Sequence, residues 1–353
     1  MSPARTPLVD DPTAGHNRFH PGIPPQREIA PGDTLTVVVL DGCDHQIGPT
    51  TTADQLKDVV QPRSHPMAGP FAIAGAEPGD VLEVEVLDFQ PDSYGWTFLL
   101  PGYGHLRDHD FAPFLVHWEL SDGVARSAQL PGITIPGRPF LGIMGVGLGH
   151  TEFDAYKARE AKLPQAPQPT PEAVVPATAA DGLRTVGPRE NGGNLDVKQL
   201  TAGSRFRVTV QVPGANLSLG DMHFAQGDGE TMVTAIETSG TVSVRVTLDK
   251  DPKYRPTTPA FWHPHTVEDD SKGFFVTTGI PVTDDGENRF HDVGLAARNA
   301  VLEMTRYLGA EHGLTEQQAL ILVSVAVDLR IGSIVNDPNT VVTANLPLSV
   351  FDE

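Results

Sequence analysis

Short runs that alternate β-branched and polar residues recur along this chain, each closed by a Gly, Pro or Asp turn signal, and they favour a mainly β fold. "DTLTVVVLD" (Asp33 to Asp41), "DVLEVEVLDF" (Asp80 to Phe89), "SRFRVTVQV" (Ser204 to Val212), "ETMVTAIE" (Glu230 to Glu237) and "TVSVRVTL" (Thr241 to Leu248) all follow period two. Alternation puts every second side chain on one face, so each reads as a half-buried strand. The 35 Gly and 32 Pro in 353 residues supply the turns between them. Two similar units, "APGDTL" and "EPGDVL", place a Pro-Gly-Asp turn directly before a strand.

Helical periodicity is confined to the last part of the chain. In "DVGLAARNAVLEMTRYLGAEHGL" residues Leu295, Val301, Met304 and Leu308 share one face, and Gly309 or Gly313 supplies the stop. "TEQQALILVSVAVDL" opens with a capping box, Thr315 and Gln318, and is apolar all round, which predicts a second, buried helix. "NTVVTANLPLSV" reads as a final strand. The run Ala161 to Gly182 is rich in Pro and Ala and poor in apolar bulk, as expected of a surface connector. These shifts divide the chain into an N-terminal β region (1–160), a connector (161–187), a second β region (188–260) and an α+β part (261–353).

Charge narrows the partners. With 45 acidic against 25 basic residues the net charge is -20, and no Lys/Arg cluster offers a footprint for nucleic acid or an anionic membrane. A small neutral or cationic ligand fits better. No apolar stretch approaches the length of a membrane span, and a single cysteine, Cys43, points to a reducing, cytoplasmic setting. It also means that any metal must be held by His, Asp and Glu.

The densest chemistry lies in "SLGDMHFAQGDGE" (Ser218 to Glu230). On a strand, Asp221 and His223 project from one face. Asp-Gly then turns the chain and returns Glu230 at the head of the next strand. Carboxylates and an imidazole with no Lys or Arg among them suit a divalent ion, Zn²⁺ or Ca²⁺. Upstream, "PRENGGNLDVK" sets Asn194 and Asp196 two apart after a Gly pair.

Other motifs carry less. "HLRDH" pairs His105 with His109 but lacks a general-base Glu and sits among loop-forming residues, and "FWHPH" (Phe261 to His265) also reads as a loop. "GIMGVGLGH" (Gly142 to His150) has nucleotide-loop-like glycines with no helix following cleanly. Cys43 has no neighbour that would activate a thiol.

"GGNLD" at Gly192 to Asp196 and "GDMHFAQGDGE" at Gly220 to Glu230, with "GPFAIAGAEPGDVLEVEVLD", "TVGPRENGG" and "SVAVDLRIGSIVNDPNTVV", resemble the acetamidase/formamidase family over nearly the whole chain. The resemblance implies hydrolysis of small linear amides with release of ammonia, an active-site divalent metal, and a homodimer or higher homo-oligomer. It also implies a β-sandwich and barrel fold with a smaller α+β part, which accommodates the two C-terminal helices. The matching positions are Asn194, Asp196, Asp221, His223, Asp228 and Glu230, together with Asp41 in "LDGCDHQI". The N-terminal "HNRFHP" departs from the family pattern at His16.

On this basis Asp41, Asp196 and His223 are the expected metal ligands, and Glu230 or Asp221 the general base. Asn194 and Asp228 are expected to orient substrate or support the ligands. The competing reading is a noncatalytic sandwich in which the same cluster is a closed structural Ca²⁺ site.

Overall fold

The computed structural model describes residues 15–103, 112–129, 134–163, 173–226, 230, 233–264, 273–314, 327–348 and 351. Two large sheets dominate. The first orders Asp328–Ser333, Val341–Pro347, Phe274–Gly279, Ala260–His263, Arg205–Thr209, Val81–Pro91, Gly240–Asp249 and Thr34–Val39 side by side, so it draws strands from both ends of the chain. Every pairing in it is antiparallel.

In Thr34–Val39 the buried residues are Leu35, Val37 and Val39, every second one, as the alternation predicts. They enter a shared core with Val84, Val86, Val242 and Val244 of the same sheet, and with Phe71, Leu141, Leu217 and Met222 of the second sheet. The inner faces of the two sheets therefore exclude water together, the physical basis of a sandwich.

The second sheet runs Gly192–Asn194, Phe140–Gly145, Leu217–Ala225, Ile236–Glu237, Tyr94–Leu99, Phe114–Ser121, Val124–Arg126 and Thr134–Pro136. Met67–Ile73 also pairs with Leu217–Ala225, and Arg27–Ile29 joins it in parallel. Leu217–Ala225 is buried at all nine positions. That continuous burial explains why its sequence, "LSLGDMHFA", shows no polar outer face.

The helix Val293–His312 lies where its periodicity predicts. The Asp292 side chain accepts from Leu295 N (2.9 Å) at its start, and Gly313 (φ 66°) ends it in the left-handed region. Met304 and Leu308 are buried against Phe275, Val342 and Ala344, while Leu295 and Val301 are only half-buried. The helix predicted from Thr315 lies outside the described residues, apart from its last positions, where Asp328 and Leu329 belong instead to a strand.

Three further expectations are corrected. A helix, His150–Glu160, does follow "GIMGVGLGH"; it is mostly polar and buries only Phe153, Tyr156, Arg159 and Glu160, so apolar periodicity was blind to it. "FWHPH" is no loop at its start, because Ala260–His263 is a strand within the first sheet. Of the strand expected over Glu230 to Glu237, the described residues form one only at Ile236–Glu237. Of the connector, the described end carries a short 3-10 turn, Ala177–Ala179, and buries Val174 and Ala179 against Ile23.

No described helix is long and apolar enough to cross a membrane.

Candidate active site

Leu217–Ala225 runs through the middle of the second sheet and carries Asp221 and His223. Although Asp221 adopts a left-handed backbone (φ 60°), the two side chains converge, His223 Nε2 lying 3.4 Å from Asp221 Oδ1. The strand on one side, Ile236–Glu237, sets Glu237 opposite His223 in register, and its Oε1 is also 3.4 Å from Nε2. From the other side, Phe140 closes edge-on over the imidazole, ring centroids 5.0 Å apart.

Asp196 arrives from the turn after Gly192–Asn194, again with a left-handed backbone (φ 47°). Asn194 Nδ2 donates to its Oδ2 (2.8 Å), and Asn336 Nδ2 donates to the same oxygen. Glu230 (φ 42°) completes the group. Three non-glycine residues in this sparsely populated conformation, all at one site, mark a geometry that the surrounding packing imposes.

Two donor sets result, Asp196–Asp221–His223 and His223–Glu230–Glu237, all buried and sharing the imidazole. Two glycines make room for them. A Cβ on Gly142 would overlap Asp196 Oδ1 and stand 2.7 Å from Asp221 Oδ2, and one on Gly42 would stand 2.7 Å from Asp221 Oδ1.

The imidazole has a defined orientation. Gln226 Nε2 donates to the Asp196 carbonyl (2.9 Å), so Gln226 Oε1 faces His223 Nδ1 (2.9 Å) and accepts its proton. In the neutral ring, the Nε2 lone pair then points at the Asp221 and Glu237 carboxylates. Only positive charge, as a proton or a cation, relieves that arrangement. Asp196 Oδ1, Asp221 Oδ1 and Glu237 Oε2 are buried without hydrogen-bond partners, and the donor set of carboxylates and imidazole suits a divalent ion. On both counts the residues fit a metal.

Electrostatics separate the carboxylates. Burial, followed by the charge of Asp196, pushes Glu230 well above the usual carboxylate range. Burial raises Asp196 to about 6. For Asp221 burial acts in the same direction, but His65 and His223 outweigh it and the net shift is downward. Glu237 is raised, chiefly by burial.

These groups line a cavity of about 260 Å³ whose other walls include Trp96, Phe98, His65 and Cys43. A volume of this order suits a small molecule rather than a drug-sized one. A larger cavity, about 460 Å³, lies next to it and shares Thr234, but it is lined by Trp118, Arg138 and Lys198 and, among the described residues, holds no carboxylate.

The sequence-derived residues are thus brought together at Asn194, Asp196, Asp221, His223 and Glu230. Asp41 stands outside both donor sets. Its carboxylate accepts from the amides of Cys43 (2.9 Å) and His45 (3.3 Å), shaping the loop that flanks the site. Asp228, His105 and His109 lie outside the described residues. His16 is buried away from the cavity and bonds Ser218 Oγ (2.9 Å). The cavity is not purely acidic, since Arg184 also lines it.

Glu237, His65, Asn336 and Gln226 were not anticipated. Asn336 sits in the quoted stretch "SIVNDPNTVV" and Gln226 inside "GDMHFAQGDGE", so both had a signal. Glu237 was only the last residue of a strand pattern, and His65 carried no signal.

Two packed sheets with a buried carboxylate–imidazole centre on a small cavity define the class: a β-sandwich protein equipped to act on a small polar molecule. The chain matches the Acetamidase/Formamidase family over residues 3–353. It is 34% identical to a formamidase of Methylophilus methylotrophus over 364 aligned residues, covering 96% of this chain and 89% of that protein. It is 33% identical to an acetamidase of Mycolicibacterium smegmatis, covering 90% and 87%. The crystal structure of an acetamidase from Bacillus halodurans superposes with a TM-score of 0.75 at 25% identity, over 96% of each chain. The chain belongs to the acetamidase/formamidase family and is an amidohydrolase acting on linear amide C–N bonds.

Proposed function

We propose that the protein hydrolyses small linear amides of the formamide and acetamide type to carboxylate and ammonia, at a divalent metal centre built on His223. The observation that carries this reading is the pair of buried donor sets sharing His223, in which Asp196 Oδ1, Asp221 Oδ1 and Glu237 Oε2 lack hydrogen-bond partners. Asp196, Asp221 and His223 would hold the ion, and Glu237 belongs to the second donor set, which shares the imidazole. A bound Zn²⁺ or Ca²⁺ would supply Lewis-acid polarisation of the amide carbonyl and acidify water.

The chain's own residues do the rest. Asn194 and Asn336 fix one oxygen of Asp196, and Gln226 fixes the ring of His223, so neither ligand has to reorganise when the ion binds. Glu230 is the general base: its raised proton affinity suits it to take a proton from the attacking water and give it to the amide nitrogen as the C–N bond breaks. Asp221, held in its charged form, is a poorer proton acceptor and a better ligand. Trp96 and Phe98 stack beside the cavity, centroids 5.5 Å apart, and limit the water around the reacting amide.

The relatives do not favour a noncatalytic calcium-binding sandwich. A homodimer or higher oligomer belongs to the same proposal, supported by Leu329 (48% exposed) and Ile331 (41% exposed) on the edge strand Asp328–Ser333. A cytoplasmic setting is supported by a lone, buried, unpaired cysteine. Ammonia release from formamide, acetamide and propionamide, measured beside the metal content of the purified protein, tests the reading. Metal-free protein with full turnover would overturn it.

A further inference from the structure

Two buried arginines beside the site are neutralised by carboxylates. Arg189 forms a bidentate pair with Glu160 (2.6 and 2.8 Å), and Arg159 pairs with both oxygens of Glu190, at 2.5 and 2.7 Å. Arg184 is different. Its Nη2 donates to the backbone carbonyl of Gln61 (3.0 Å), its Nε is buried without a partner, and among the described residues no carboxylate pairs with it. It lines the same cavity as Asp196, Asp221, His223 and Glu230.

Its neighbour across the Arg18–Phe19 and Leu183–Arg184 strand pair is another arginine, Arg18, which adds charge of the same sign. Burial, and then the charge of Arg184, push Arg18 down to about 10. A half-buried guanidinium with its Nε shut off from water and no carboxylate among the described residues is costly to maintain, and its planar fork matches a carboxylate in shape and charge.

We propose that Arg184 is a specificity-determining residue that binds a carboxylate inside the reaction cavity. This rests on the amide-hydrolase reading of the same site and deepens it. The carboxylate has two chemical sources: the acid product of the reaction, or an anionic substituent on the amide substrate. In both cases the anion sits at Arg184, apart from the carboxylates around His223, which would repel it.

The test compares wild type with Arg184→Gln and Arg184→Lys, all metal-loaded, in two arms. One measures acetate binding by calorimetry and by inhibition of butyramide hydrolysis. The other measures the ratio of kcat/KM for succinamate to that for butyramide, an amide of the same length without the charge. Loss of a charged hydrogen bond predicts that Arg184→Gln weakens the anion by about 10-fold to 100-fold. Arg184→Lys, which keeps the charge, should recover part of it; that recovery separates recognition from damage to the fold. A fall in acetate binding alone assigns the product as the anion, and a fall in the substrate ratio alone assigns the substituent. Unchanged values in both arms overturn the proposal. If wild type releases ammonia from neither amide, calorimetric acetate binding decides the role of Arg184 by itself; the reaction assignment fails only if formamide, acetamide and propionamide are also left intact.

Discussion

His223 and Glu237 face each other across adjacent antiparallel strands, Nε2 to Oε1 3.4 Å, with the far side of the imidazole anchored to Gln226. The ring is therefore oriented before any ligand arrives.

Gln226→Leu removes the acceptor for Nδ1 and the donor to Asp196 in one step. Loss of such a supporting contact is expected to weaken metal binding by about 10-fold to 100-fold while leaving the sheets folded. Metal titration with a competing chelator, followed by circular dichroism, checks both halves.

Glu230→Gln keeps shape and loses the proton acceptor. The expected outcome is near-normal metal content with kcat lowered by roughly 10²-fold to 10⁴-fold. Asp221→Asn is expected to do the reverse and lose metal first. Should Glu230→Gln shed the metal and Asp221→Asn keep it while losing turnover, the two roles must be exchanged.

Gly142→Ala tests the room that the carboxylates need. The added methyl would overlap Asp196 Oδ1 and crowd Asp221, so overpacking of about 1–3 kcal/mol and reduced metal occupancy are expected. Thermal melts with and without added metal read the two effects separately.

Metal affinity should depend on pH with a definite sign. Burial raises Asp196 from 3.8 to about 6, so below that pH the metal-free folded protein holds a proton that an ion must displace. Displacing that proton lowers apparent affinity as pH falls through 6. Burial of His223 is outweighed by the charges of Glu237 and Asp221, which hold it protonated well above its ordinary range, so a second proton must leave and affinity keeps rising above pH 6. Linkage runs the other way for the metal-free fold. The raised folded value favours the native state at acid pH, and that contribution is lost as pH climbs from about 4 through 6. Isothermal titration at pH 5 and 7 and melts of the chelated protein test the pair.

Cys43→Ala should leave turnover within about threefold. Burial and the nearby Asp41 push the thiol well above its ordinary range, so little thiolate exists at neutral pH. A folded but inactive Cys43→Ala protein would replace the metal–water chemistry with a thiol nucleophile.

Sequence alone carried the β character, because alternation is written locally: Leu35, Val37 and Val39 need no distant partner to declare a face. It also carried the family motifs, and with them Asp196, Asp221, His223 and Glu230. What it could not show is which single residues from other strands meet them. Glu237 reaches His223 only because Ile236–Glu237 pairs with Leu217–Ala225 in that register, and Asn336 reaches Asp196 across 140 positions of chain. Asp41 looked like a ligand by its motif, yet the tertiary structure gives its oxygens to the amides of its own loop. The polar helix His150–Glu160 likewise has no strong periodicity; Phe153 and Tyr156 pack against Phe19, Ile143 and Leu183, and its C-terminal end is tied by salt bridges, Arg159 to Glu190 and Glu160 to Arg189. Side-chain period is a property of neighbours in sequence, whereas strand register and burial of charge are set by the whole packed fold, and it is the latter two that decide the final membership of this site.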